Sequence, residues 1–158
     1  GWDDQWEKFS VLAEKGLKYQ NELLNLVDKD TDAFNKIMEA FKLPKVTPED
    51  IDLRNQSIQS ATKFAITVPL EVMKTSYLSM NIMKEMAKNG NPNSVSDAAV
   101  GALCARTAIH GAFLNVKINC KDYNDKEFVQ KTLNNGENIL KKAISLENEI
   151  LKITEEKI

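Results

Sequence analysis

Apolar side chains fall at helical spacing along nearly the whole chain, and no stretch sustains the two-residue alternation of a half-buried strand. Trp2, Trp6, Phe9 and Leu12 open a stripe that resumes at Leu23. Asp3 or Asp4 stands ahead of it as a capping carboxylate. With no proline before Pro44, the pattern predicts one long helix, or two joined near Gly16, reaching about Phe41. Thr47-Pro48-Glu49-Asp50 reads as a second start, with Thr as the N-cap, proline at the first helical position and acids in the first turn. Its stripe (Ile51, Ile58, Ala61, Ala65) runs to Pro69, where the ring must kink or end the helix.

Residues 70–87 look helical again, and Lys88-Asn89-Gly90 is a stop. Asn91-Pro92-Asn93 forms a tight loop before Ser94-Val95-Ser96-Asp97, a capping-box-like start with Asp in place of Glu. The fourth helix repeats small residues every three or four positions, at Ala98, Gly101, Ala102, Ala105, Ala108 and Ala112. Small faces allow close backbone approach, so this helix is expected at the centre, ending around 119–122. A last helix from about Asp125 should bury Phe128, Leu133, Leu140, Ile144 and Ile150. The prediction is an all-α, up-and-down bundle of about five helices, one kinked near Pro69, forming a single domain over residues 1–158.

Charge adds little to this picture. Lys and Arg number 21 against 23 Asp and Glu, which leaves no basic footprint for nucleic acid. Charges interrupt the apolar runs, so no membrane span or membrane partner is expected. Cys104 and Cys120 lack the spacing and the His or Cys neighbours of a zinc site, and no metal is expected. Such sparse cysteine use predicts a reduced, cytoplasmic setting. His110 is read as a packed or surface residue, Met73, Met80, Met83 and Met86 as flexible core filler, and Cys104 as a small apolar filler.

Candidate chemistry begins with the acids of Asp28-Lys29-Asp30-Thr31-Asp32. Helix neighbours lie three, four and seven residues away. For Asp30 these are Leu23, Leu26, Val27, Ala33, Phe34 and Ile37, all apolar, whereas Asp32 has only polar neighbours. Asp30 is therefore expected to point into the core stripe, where desolvation favours the protonated carboxyl. Two readings stand: a buried acid satisfied by an Arg or amide donors, or a functional proton carrier. The loop from Gly90 to Asp97 offers amides, hydroxyls and helix-start N–H groups to an anion or heterocycle, or is only a turn and cap. Asn115 and Asn119, one turn apart, bind a polar ring edge or tie helices together.

Taken together, five stretches resemble the cyclodeaminase domain of the formiminotransferase-cyclodeaminase family. They are Leu26-Val27-Asp28-Lys29-Asp30-Thr31-Asp32-Ala33-Phe34, Lys42-Leu43-Pro44-Lys45, Val68-Pro69-Leu70, Gly90-Asn91-Pro92-Asn93-Ser94-Val95-Ser96-Asp97, and the run from Gly111 to Asn119. The resemblance implies a helical domain that closes 5-formiminotetrahydrofolate to 5,10-methenyltetrahydrofolate and releases ammonia. It implies a homodimer with the folate site near the subunit interface, and no cofactor beyond the tetrahydrofolate substrate. The family's catalytic aspartate falls on Asp30. Phe34, Asn93, Ser94, Ser96, Asp97, Asn115 and Asn119 would hold the substrate, with Lys45 meeting its glutamate tail, which is polyglutamylated in some folates.

Domains of this family open with a Gly-rich loop and a small-residue helix ahead of the position of Gly1. The expectation is either one piece of a longer polypeptide that carries that segment or a formiminotransferase domain, or a truncated relative. Two rival readings are a methenyltetrahydrofolate cyclohydrolase of the same family and a non-catalytic helical dimerisation module.

Overall fold

The computed structural model describes residues 5–158 and contains four long helices. They are α1 (Trp6–Lys42), α2 (Pro48–Asn89), α3 (Val95–Cys120) and α4 (Lys126–Glu155). The capping role expected of Asp3 or Asp4, and the place of Trp2 in the first stripe, lie outside the described residues. The all-α, up-and-down expectation holds, but the count is four rather than five, because Pro69 does not end its helix.

The reason is a side chain on another helix. Proline has no N–H, so the Ala65 carbonyl one turn earlier loses its intrahelical donor. Asn119 Nδ2 donates to that carbonyl at 2.8 Å. With the freed acceptor satisfied, α2 runs through Pro69 unbroken.

The α2 start is the predicted capping box. Asp50 N–H donates to Thr47 Oγ1 and Thr47 N–H to Asp50 Oδ2, each at 3.1 Å. The α2 stop is set by space. Gly90 N–H donates to Met86 O at 2.8 Å, and a Cβ on Gly90 would lie 2.4 Å from the same oxygen. At the start of α3 the expected Ser94 cap makes no side-chain hydrogen bond. Asn91 Oδ1 instead accepts from Asn93 N–H at 3.0 Å and shapes the loop.

The central position belongs to α2, not to the small-residue helix α3. Helix α2 packs against the other three, α3 and α4 pack on each other, and α1 has α2 as its only extensive partner. One core cluster joins α2, α3 and α4 around Met73, Met80, Ile109, Phe113 and Ile150. A smaller one joins α1 to α2 through Leu26, Ala33, Ala65 and Val68. Arg106 of α3 and Glu147 of α4 pair at 3.0 Å, with Glu147 buried.

On α4 the buried stripe is Thr132, Gly136, Ile139, Ala143, Leu146 and Ile150. This corrects the predicted stripe: Ile144 is exposed, and Phe128, Leu133 and Leu140 are half-buried. Small residues on the inner face admit large ones from α3, and a Cβ on Gly136 would stand 2.4 Å from the Phe113 ring.

Helix α3 departs from expectation in a second way. The segment Pro92–Cys120 is long and apolar enough, on length and composition, to cross a membrane. One side of it is core, and the other leaves Val100, Leu103, Leu114 and Ile118 exposed. Cys104 lies on the open side rather than filling the core, whereas Cys120 is buried and burial pushes its thiol up.

Candidate functional site

The contacts fix how the helices line up. Gly16 sits by Ile82 and Lys36 lies over Phe64, so α1 runs antiparallel to α2. Asn119 meets Ala65 and Gly101 meets Met83, so α3 does the same on another side. Because α1 does not close onto α3, a groove of about 500 Å³ opens between them with α2 as its floor. Asp30 and Thr31 line it from α1, Pro69, Val72 and Ser76 from α2, and Ala108, Ala112 and Asn115 from α3. In that register Asp30, Pro69 and Asn115 share one level, and Leu23, Ser76 and Ala108 share another.

Asp30 is exposed rather than buried, which corrects the expected core position. Its neighbours explain the error. Leu26 and Ala33 are buried against α2, but Val27, on the groove wall, and Phe34, outside the groove, are 63% and 62% exposed. The apolar surroundings inferred from spacing are real, yet half of them face the open side of α1. Asp30 therefore stands at the rim of the groove, with access to solvent and to anything the groove holds.

The structure brings Asp30 and Asn115 together in this groove, from helices far apart in sequence. Asn119 points its amide nitrogen at Ala65 O, so its donor already ties α3 to α2. Phe34 lies one turn beyond Asp30 on the exposed side of α1, and Lys45 is exposed in the connection to α2. Asn93, Ser94, Ser96 and Asp97 are exposed at the opposite end of α3. The nineteen residues from Ser96 to Asn115 span about 28 Å of helix, so within one chain that loop does not meet Asp30.

Sequence reasoning missed Ser76 and the part Pro69 plays in the floor. Ser76 carries no motif, and only the register of three helices puts it here. For Pro69 a signal existed: an interior proline needs a donor for the carbonyl four residues earlier, and a nearby Asn one helix on is a candidate.

The sequence profile described as formiminotransferase-cyclodeaminase matches residues 1–138. The chain belongs to this family. Methenyltetrahydrofolate cyclohydrolase from Methylorubrum extorquens is 32% identical over 93% of this chain and 71% of that protein. Formimidoyltransferase-cyclodeaminase of mouse is 38% identical over 77% of this chain, and this chain covers only 23% of that protein. The chain thus spans under a quarter of the mouse relative. A crystal structure of formiminotetrahydrofolate cyclodeaminase from Thermotoga maritima superposes with a TM-score of 0.85, at 24% identity, over 98% of this chain and 73% of that one. That likeness establishes the fold of this family member.

Proposed function

We propose that the α1–α2–α3 groove binds a tetrahydrofolate and that the protein cyclises 5-formiminotetrahydrofolate to 5,10-methenyltetrahydrofolate with loss of ammonia. The observation that carries the reading is the meeting of Asp30 with Asn115 across a groove with Pro69 and Val72 on its floor between them. Membership of the family supports the substrate class.

The reaction is intramolecular. The N10 amine attacks the formimino carbon carried on N5, and a new C–N bond forms as a tetrahedral centre. The bond from that carbon to the formimino nitrogen then breaks. Both nucleophile and electrophile belong to one molecule, so holding the reactive conformer supplies much of the acceleration. The formimino group enters as its protonated amidinium; Asp30 takes the proton from N10 and passes it to the resulting –NH2, which leaves as ammonia while the methenyl bridge keeps the positive charge. Asn115 orients the formimino group, and Lys45 lies at the end of α1 where a glutamate tail would emerge. The reaction needs no group beyond the folate itself.

The protein acts as a homodimer in this reading, through the open side of α3. That side is self-complementary when two copies run antiparallel: Val100 faces Ile118, Leu103 faces Leu114, and Gly111 lies near the middle. The pairing would also set a second copy's Ser96 and Asp97 roughly 10 Å from Asn115 along the axis, and its Asn93 and Ser94 roughly 15 Å, where Ser96 of the same chain lies about 28 Å away.

A second reading, methenyltetrahydrofolate cyclohydrolase, is favoured by the Methylorubrum relative, whose length this chain covers most fully among the curated relatives compared. There water replaces N10 as nucleophile, and Asp30 would deprotonate it. Supplying the two folates separately decides between them. Ammonia released from 5-formiminotetrahydrofolate supports the cyclodeaminase. Consumption of 5,10-methenyltetrahydrofolate, with no ammonia from the formimino compound, supports the cyclohydrolase. Inertness toward both would leave the dimerisation module.

A further inference from the structure

Ser76 is 2% exposed and lines the floor of the groove. Its hydroxyl makes no hydrogen bond to any described residue; apart from the helix's own backbone bonds, the one bond at this position is Ser79 Oγ donating to the Ser76 backbone carbonyl. Helical serines commonly turn the hydroxyl back onto the preceding turn, as Thr67 and Thr107 do here at 2.8 and 2.9 Å. Among the described residues the only sealed side-chain nitrogen or oxygen without a partner is Arg54 Nε. The Ser76 hydroxyl is therefore not sealed, and its opening is the groove.

We propose that Ser76 is a ligand-binding residue whose hydroxyl takes the amide-and-amine edge of the pteridine ring. The inference rests on the reading of this groove as a tetrahydrofolate site. Seven residues of α2 separate Ser76 from Pro69, which puts it about 10 Å along the axis from the level of Asp30 and Asn115. Between the two levels the lining is apolar, at Val27, Val72 and Ala112. A ligand with a flat ring and polar atoms at both ends fits that spacing.

The direction of the ligand follows from charge. Past Ser76 the α1–α2 seam continues as an apolar channel of about 380 Å³ with Leu24, Ile82 and Met83 on its walls. A glutamate tail laid there would lose its hydration without gaining a partner. The ring edge, which is polar but uncharged, goes toward Ser76, and the tail leaves by the open end beyond Asp30.

The test uses calorimetric titration with 5-formyltetrahydrofolate and thermal unfolding of the free protein, on wild type and on Ser76→Ala. Loss of one neutral hydrogen bond should weaken binding roughly three- to tenfold. The midpoint of unfolding should stay level or rise, because the free protein loses no bond and Ala is the better helix former. Equal affinity of the two proteins overturns the Ser76 assignment while leaving the folate site standing. A midpoint several degrees lower overturns it as well, since the hydroxyl would then have a structural partner. No heat from wild type overturns the folate reading, and the Ser76 assignment with it.

Discussion

Replacing Asn119 by Leu tests how α2 survives a proline in its interior. The variant keeps the bulk of the side chain but removes the 2.8 Å hydrogen bond to Ala65 O. That carbonyl has no intrahelical donor because Pro69 occupies the position four residues on. Leaving a partly buried acceptor unsatisfied costs about 1–2 kcal/mol. For a chain of this size each kcal/mol shifts the melting midpoint by about 2–4 °C, so a fall of roughly 2–8 °C is expected. The informative step is the same change in a Pro69→Ala background. There the residue 69 N–H can bond Ala65 O directly, and losing Asn119 should cost under about 0.5 kcal/mol. Pro69→Ala changes stability by itself through helix propensity and shape, but that contribution cancels in the double-mutant cycle. Urea or thermal unfolding followed by far-ultraviolet circular dichroism reads all four proteins. An equal penalty for Asn119→Leu in both backgrounds would refute the argument.

Three further outcomes are expected. Gly136→Ala forces a Cβ to 2.4 Å from the ring of Phe113, itself 1% exposed, and overpacking of about 1–3 kcal/mol exceeds the helix-propensity gain of about 1; the midpoint should drop by several degrees and recover in part with Phe113→Leu. Gly111→Arg places a charge where no atom lies within 4 Å of the new Cβ, so the fold should be kept while sedimentation shows a dimer becoming a monomer. The Lys8 hydrogen bond holds the Glu85 carboxyl below its ordinary value of 4.5, and Lys84 does the same for Glu149. Depressed carboxylates stabilise the fold above their unfolded value and lose that contribution as pH falls through the folded one. The small stability gap between wild type and the Glu85→Gln/Glu149→Gln variant should therefore be present near neutral pH and shrink as pH falls below the ordinary value of 4.5.

Local chemistry made the element ends legible. Thr47-Pro48-Glu49-Asp50 and Asp125 carry their start signals in adjacent residues, and helices do begin there. That α2 continues through Pro69 instead of ending there, which removes one helix from the expected five, depends on Asn119, 50 positions later, which no local pattern can reveal. The stripe of α4 was misplaced for a related reason: Gly136 and Ala143 are buried because they are small, and a search for large apolar residues passes over them. Asp30 was singled out by its neighbours on the helix, yet periodicity finds an apolar face without saying which part of it another helix covers. Its partner Asn115 could be suspected from sequence, whereas Ser76 depends on the register of three helices.

Asp30 as the proton carrier in an accessible groove is the central claim, and Asp30→Asn tests it most directly. The variant keeps the size and polarity of the side chain and removes its ability to accept a proton. Turnover of 5-formiminotetrahydrofolate should fall by on the order of a hundredfold or more, while 5-formyltetrahydrofolate still binds with near wild-type affinity. Turnover within a few-fold of wild type would contradict the account.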